Sequence, residues 1–399
     1  MPRFAPFPGV RYDTARVDLA DVTAPPYDVI DADERAALAA RSPFNAVHVD
    51  SPVPEPGVDC YEEAAARFLD WQHGGVLVTD EPSLYIYRMS FADEHGRARQ
   101  TTGVIGALGL EPPGDGDVLP HEHTTPKAKS DRLDLLRATA ANLSPIWCLS
   151  LADGLSKLCD PAAATAIGRW HDLDGVEHSL WRLADPDAIA AITDTVASAP
   201  VVIADGHHRY ETSLTYLHER AARGAVGTAD ATMTFVVELA DEQLTVQAIH
   251  RLVSGLPDGF DTLAALEPWF EPVTAEAPDV SLLDRMEEAG ALALVLPGAA
   301  WLLHPRSARG GDVDAVRAAE ALASFPPHEL RYQHGVGTVL DAVRDGRAEA
   351  AILLRPVSVA QIADTAHARD RFPPKTTFFW PKARTGLVFR PLDRPFSTQ

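Results

Sequence analysis

The residues best suited to chemistry lie in Pro200–Tyr216, PVVIADGHHRYETSLTY. Asp205, Gly206, His207, His208 and Arg209 follow one another directly, and Glu211 stands at helical spacing from His207. A glycine lets the backbone approach a ligand closely, an arginine grips oxyanions with a planar fork, and the first amides of a helix lack intrahelical partners. Together these groups predict a cradle for phosphate or another anion. The plain alternative is a structural strand–glycine–helix turn, which any α/β protein contains several times. Two histidines and an arginine directly behind the turn favour the functional reading.

A second dense stretch, LPHEHTTPKAKSDR, brings His121, Glu122, His123, Lys127, Lys129 and Arg132 together with little apolar matter to bury them. A charge run is ordinarily a solvated loop. This one also supplies a base, metal ligands and phosphate cations within a short span, and Asn142 follows as a polar candidate for substrate contact. In APPYDVI the tandem prolines stiffen the chain and would hold Tyr27 and Asp28 in fixed positions, toward a ligand or simply in a rigid turn. In FPPKTTFFWPK, prolines again fix the backbone around Lys375, Thr376 and Lys382, as anion contacts or as surface lysines on a terminal strand.

Elements must carry these groups to one place. Val201–Ala204 reads as a buried strand and His208–Glu219 as the helix that follows, with Leu214 and Leu217 on one face. Upstream, helices are expected over 33–40, 59–73 and 133–140. Strands are expected over 45–50, 84–89, 101–110 and 142–147, with a hairpin turn at 93–96. Downstream, 232–239 and 244–249 read as a hairpin ending at His250-Arg251. The stretch 257–327 has helix–strand–helix patterning without concentrated polar chemistry, followed by a strand at 350–354 and a helix at 359–367. The expected organisation is a catalytic region over 1–255, an added α/β lobe over 256–345, and a segment 346–399 returning to the catalytic region.

With 399 residues, 46% of them hydrophobic, the chain can bury a sizeable core. Lys and Arg number 35 against 57 Asp and Glu, a formal net charge of −22 that disfavours nucleic acid as a partner. Three cysteines without a CxxC pair suit a reduced compartment and buried apolar roles. MPRFAPFPGVRYD lacks an apolar signal core, and no apolar run is long enough to span a bilayer. A cytoplasmic protein without a membrane partner is expected, and a homodimer stays open.

APPYDVI, LPHEHTTPKAKSDRLDLLRATAANLSPI, IADGHHRYET and FPPKTTFFWPK, in this order, resemble a widespread bacterial and archaeal family long carried as a domain of unknown function. The resemblance runs nearly end to end. It departs at His123, where the family commonly has Arg, and at Ala248-Ile249, where a Thr commonly precedes the His-Arg pair. More distantly, a strand followed by DGHHR looks like the phosphate-binding turn of the ParB/sulfiredoxin-like superfamily. Sulfiredoxins carry a Cys where His207 stands, and the partition proteins add basic DNA-binding surfaces that this acidic chain lacks. The branch left is that of free-serine kinases. The resemblance implies an α/β (mixed α+β) fold with a ParB/sulfiredoxin-like catalytic region and an added α/β lobe.

The expected function is that of a small-molecule phosphotransferase, a kinase of free L-serine or a similar hydroxyl metabolite, using ATP or ADP with Mg²⁺. Gly206 and the amides of His207 and His208 would cradle nucleotide phosphate, with Arg209, Lys127, Lys129, Arg132, Lys375 and Lys382 adding charge. Glu122 or Asp28 would accept the substrate proton, and Asp205 would hold Mg²⁺ or orient a histidine. Tyr27, His121, Asn142 and Glu211 would contact substrate. No Walker-type or kinase glycine-rich loop occurs. Two alternatives use the same residues. In a metal-dependent phosphatase, His121 with His123 and His207 with Glu211 would form two ligand pairs. In a nucleotide or phosphometabolite sensor the cradle would work without a base. All of these readings require the surroundings of residues 28, 122, 207 and 375 to converge.

Overall fold

The computed structural model describes residues 1–393 except 94–95, 113, 115, 123–128, 276–277 and 307–312; at 129 and 130 it describes the backbone alone. The chain is mixed α/β and divides into two units, one of residues 1–245 and 381–399, the other of residues 246–380. The sequence placed these borders at 255 and 345. Both His250–Ser254 and Ala350–Leu353, however, are strands of the second unit's sheet.

The first unit is built on a nine-stranded sheet. Its path runs Val118–Pro120, Val201–Asp205, Ile146–Ser150, Ala231–Glu238, Ala98–Gly109, Leu84–Ala92, Glu177–Leu183 and Thr165–His171, and Phe4–Ala5 pairs alongside Ala98–Gly109. Val201 and Ile203 are fully buried and meet Tyr210 and Leu214 of the helix His207–Ala222. Each apolar side chain so buried contributes about 1.5–3 kcal/mol. This packing anchors the polar turn between strand and helix. All three cysteines are buried in this unit, at 60, 148 and 159, and burial pushes the thiols of Cys148 and Cys159 up.

The second unit has a six-stranded sheet in the path Phe270–Thr274, Ala299–Pro305, Leu292–Leu296, Ala350–Leu353, His250–Ser254 and Glu329–Gln333. Helices Thr262–Leu266, Leu282–Ala289, Asp314–Leu322, Val336–Arg344 and Val359–His367 accompany it. Two apolar clusters form its core, one containing Val253, Leu294 and Ala318, the other Leu252, Val295 and Val339.

Two expected elements differ. The segment read as a strand over 45–50 is a short helix, Val47–Asp50. Its alternating valines mimic strand periodicity, but Asn45 Oδ1 accepts from Val47 N and the Ala46 carbonyl accepts from Asp50 N, closing a helical turn instead. The expected hairpin of 232–239 with 244–249 does not form. Ala231–Glu238 lies between Ala98–Gly109 and Ile146–Ser150, and Val246–Ala248 pairs with Thr377–Phe379. The expected turn at 93–96 includes 94 and 95, outside the described residues.

Candidate active site

The site strand Val201–Asp205 pairs in parallel with Val118–Pro120, Ile203 opposite Pro120. That register carries the next residues, His121 and Glu122, to the level of the turn at Asp205-Gly206. His121 is buried, and its Nδ1 lies 2.5 Å from the Ile203 carbonyl oxygen. A carbonyl only accepts, so Nδ1 carries the proton and donates. Nε2 then faces Glu122 Oε1 at 3.3 Å, and a hydrogen bond across that gap needs one further proton, on ring or carboxyl. The His121 and His207 rings lie 5.0 Å apart. Two stretches remote in sequence thus bring a carboxylate and two imidazoles together.

Gly206 takes φ +88°, in the left-handed region, and no side chain caps the helix that starts behind it. A Cβ at this position would stand 3.0–3.1 Å from the Arg209 guanidinium. Any other residue would be strained and would press on the arginine. The amides at the start of His207–Ala222 lack intrahelical acceptors by construction, and the helix dipole adds partial positive charge there.

Arg209 is held from three sides. Nη2 donates to Asp205 Oδ2 at 2.6 Å, and Nη1 donates to the Pro145 carbonyl at 2.6 Å and to Ser144 Oγ at 3.2 Å. Lys382 Nζ donates to the other Asp205 oxygen. Burial alone would push the Asp205 carboxyl up; the cations of Lys382 and Arg209 outweigh it and hold the carboxyl far below the ordinary range. Both oxygens of Asp205 therefore engage cations. The chemistry of this carboxylate is that of a clamp, and the metal-holding role considered from sequence would require breaking it.

His207 has the opposite balance. Burial, then the neighbouring His121, push its ring down to about 3, against the pull of Glu122 and Asp205. At neutral pH it is an uncharged imidazole. Among the described residues, His207 Nε2, His208 Nδ1 and Arg209 Nε are buried without a hydrogen-bond partner. Buried groups of this kind ordinarily find partners, so three at one helix start call for a ligand or water. His208 Nδ1 lies 3.9 Å from Glu211 Oε2, beyond hydrogen-bonding reach.

Tyr27 stacks under Arg132, whose guanidinium carbon is 4.1 Å from the ring centroid. Burial and then Asp28 push the Tyr27 phenol up to about 12, while Arg209 and Arg132 pull it down. Asp28 is exposed, and its charge helps raise the pKa of Arg209 against burial. Arg132 donates to the Asp50 carbonyl at 2.5 Å and stands 3.7 Å from the Asp50 carboxylate, which burial pushes up. Asp50, Ser144 and Pro145 were not anticipated. A lone Asp closing a short helix and an Asn-Leu-Ser-Pro bend carry no local signal of chemistry. Between Asp50, Arg132, Ser144, Arg209 and Thr212 lies a cavity of about 50 Å³, room for one or two waters and not for a nucleotide.

Asn142 also lines this cavity. Asn142 Oδ1 accepts from Met233 N at 3.0 Å and from Arg390 at 3.2 Å, so its carbonyl fastens strands. Lys375 is exposed in the second unit, at φ +61°. His123, Lys127 and the Lys129 side chain fall outside the described residues. Among the described residues no group of three or more His, Cys, Asp or Glu is arranged to hold a metal ion.

A family model matches residues 4–327, four-fifths of the chain. The chain belongs to the DUF1015 family, described as a protein family of unknown function. No curated protein matches this DUF1015 chain. Among solved structures it is similar, at 12% identity each, to three of note. One is a conserved hypothetical protein from Pyrococcus furiosus (TM-score 0.36, covering 67% of this chain and 90% of that one). Another is a free serine kinase in complex with AMP (TM-score 0.35; 68% and 93%). The third is SbnI with C-terminal truncation from Staphylococcus aureus (TM-score 0.39; 70% and 85%). Likeness at that level carries no reaction across to the DUF1015 chain. Among its described residues no helix is long and apolar enough to cross a membrane.

Proposed function

We propose that this DUF1015 protein transfers a phosphoryl group from ATP or ADP to the hydroxyl of a small metabolite, free L-serine being the substrate its motifs favour. The observation that carries the reading is the helix start at Gly206. It is uncapped and left-handed at the glycine, has Arg209 aimed by Asp205, and keeps His207 Nε2 buried without a partner. Phosphoryl transfer asks a protein mainly for positioning and for neutralisation of charge on the moving group. The amides of His207 and His208 and the Arg209 guanidinium would hold the nucleotide's terminal phosphates. Neutral His207 would donate or accept one hydrogen bond without adding charge.

The Glu122–His121 pair would take the proton of the attacking hydroxyl as its oxygen bonds to the terminal phosphorus. The bridging P–O bond then breaks, and the electron pair leaves with the shortened nucleotide. Magnesium would arrive chelated by the nucleotide and screen its phosphates, with Asp205 left to its two cations. Tyr27 on Arg132, with Asp28 beside it, would offer a polar wall to substrate.

A phosphatase is the second reading, favoured by the 5.0 Å approach of His121 to His207 beside Glu122. Phosphorus NMR with Mg²⁺, L-serine and either ATP or ADP separates the two. Growth of an O-phosphoserine resonance as the nucleotide shortens supports transfer. Free phosphate released from added O-phosphoserine, without transfer, replaces the kinase by the hydrolase. With neither, L-serine and O-phosphoserine are excluded as substrates, and the cradle stands as a binding site with its substrate class open.

A further inference from the structure

At the far end of the first unit's sheet from Val201–Asp205, a cleft of about 480 Å³ lies against Leu84–Ala92, Glu177–Leu183 and Thr165–His171. Its size suits a small organic ligand. Strand register sets Thr102, Arg88, Ser179 and Arg169 opposite one another, a single row across neighbouring strands. Residues so opposed share one face of the sheet. The next row on one side carries Gln100, Ser90, Glu177 and His171; on the other side stand Ile86, Trp181 and Ala166. The register shifts at Leu180 and Trp181, so Ile167 has no partner opposite it. Such a bulge bends the edge strand at the cleft.

Two polar groups on this floor have hydrogen-bonding capacity to spare. Arg88 Nε donates to Thr102 Oγ1 at 3.0 Å, and its guanidinium carbon stands 5.4 Å from the centre of the Trp181 ring. These contacts fix the guanidinium, and among the described residues its Nη groups have no hydrogen bond or ion pair. Ser179 lines the cleft and is only 5% exposed, yet its hydroxyl has no hydrogen-bond partner among the described residues. A hydroxyl so placed ordinarily finds one. Arg169, on the other side of Ser179, is committed: its Nη2 donates to Glu177 Oε1 at 2.7 Å. His171 Nε2 stands 3.7 Å from the other Glu177 oxygen. The open donors are therefore the N–H groups at one guanidinium end and a single hydroxyl. They match the two oxygens of a carboxylate, which a guanidinium grips in parallel bonds. We infer that this cleft binds a small carboxylic acid in its ionised form, the carboxylate across Arg88 and Ser179 and an apolar body against Trp181, Ala166 and Ile167. The inference is independent of the reaction proposed at Gly206, since no residue is shared.

Hydrogen exchange of the full chain, with phenylacetate titrated at constant ionic strength, tests this directly. Added protection is expected in residues 165–171 and 177–183. The alcohol phenylethanol, an apolar body of the same kind without the charge, should protect neither segment at the same concentration. Arg88→Gln should raise the phenylacetate concentration needed at least about tenfold, equivalent to about 1.4 kcal/mol. Ser179→Ala removes one hydroxyl and adds no volume, so it should fold normally and still raise that concentration several-fold. Absence of protection in the wild type, equal protection by phenylethanol or by inorganic phosphate, or an unchanged concentration in Ser179→Ala would overturn the site. Arg88 would then be a surface cation resting on Trp181.

Discussion

The two units contain the same device put to different ends. In the first, Asp205 grips Arg209 with one oxygen and Lys382 with the other. In the second, Asp314 grips Arg355 through a fork and approaches Arg317. Each pairing places cations beside the start of a helix that no side chain caps. What differs is the company. Around Asp205 stand His121, Glu122, His207 and His208, three imidazoles and a carboxyl group. Around Asp314 stand prolines, valines and an exposed glutamate. Under the proposed function, imidazoles and a carboxyl beside such a clamp are what separates a place for a reaction from a structural clip.

The sharpest way to break this comparison is to remove both carboxylates in turn. Asp205→Asn and Asp314→Asn should each cost about 3–5 kcal/mol, because each takes the carboxylate charge away from the guanidinium bonded to it. Calorimetric unfolding of both variants checks the figure. Serine kinase turnover, measured on the folded fraction at low temperature, should disappear in the first and persist in the second. Loss in both would mean that the two clamps do not act separately.

Arg209→Ala comes next. It should lower kcat roughly a hundred- to a thousand-fold, as expected when a donor aimed at developing charge is lost. Unchanged turnover with a confirmed substrate would remove the cradle from the mechanism. Gly206→Ala should cost about 1–2 kcal/mol in denaturant unfolding through its left-handed backbone, and should raise the KM for nucleotide by crowding Arg209.

The pH dependence separates the units least, because each holds a depressed histidine. His207 in the first and His250 in the second are both pushed down to about 3, burial being the main cause. For such a group the unfolded chain binds the proton first. The stabilisation is complete above the unfolded value near 6.5 and is lost as pH falls from there toward 3. His207→Gln should flatten part of the acid limb of a stability–pH curve, and His250→Gln another part. An acid limb unchanged in both would mean that neither ring is buried neutral.

Much of the first unit was readable from local pattern. Val201–Ala204 with Leu214 behind it gave strand and helix, and residues 59–73 and 84–89 matched the helix Cys60–His73 and most of the strand Leu84–Ala92. In these segments apolar spacing and burial coincide. The valines at 47 and 49 misled because they have strand spacing yet both are buried in a single helical turn, which the Asn45 side chain supports by accepting from Val47 N. In the site, the types of Asp205, His207, His121 and Glu122 could be read. Their partners could not. The Ile203 carbonyl under His121, the Lys382 ammonium on Asp205 and the Pro145 carbonyl on Arg209 are fixed by register and chain return. Asp50, beneath Arg132, had no local signature at all.

The placement of the three thiols has a practical consequence. All lie buried in the first unit, and none in the second. A thiolate-directed alkylating reagent therefore reacts only when the first unit opens, since all three thiols are shielded and burial pushes those of Cys148 and Cys159 up as well. Labelling rates then act as a native clock for opening of the first unit alone. Added nucleotide should slow that clock.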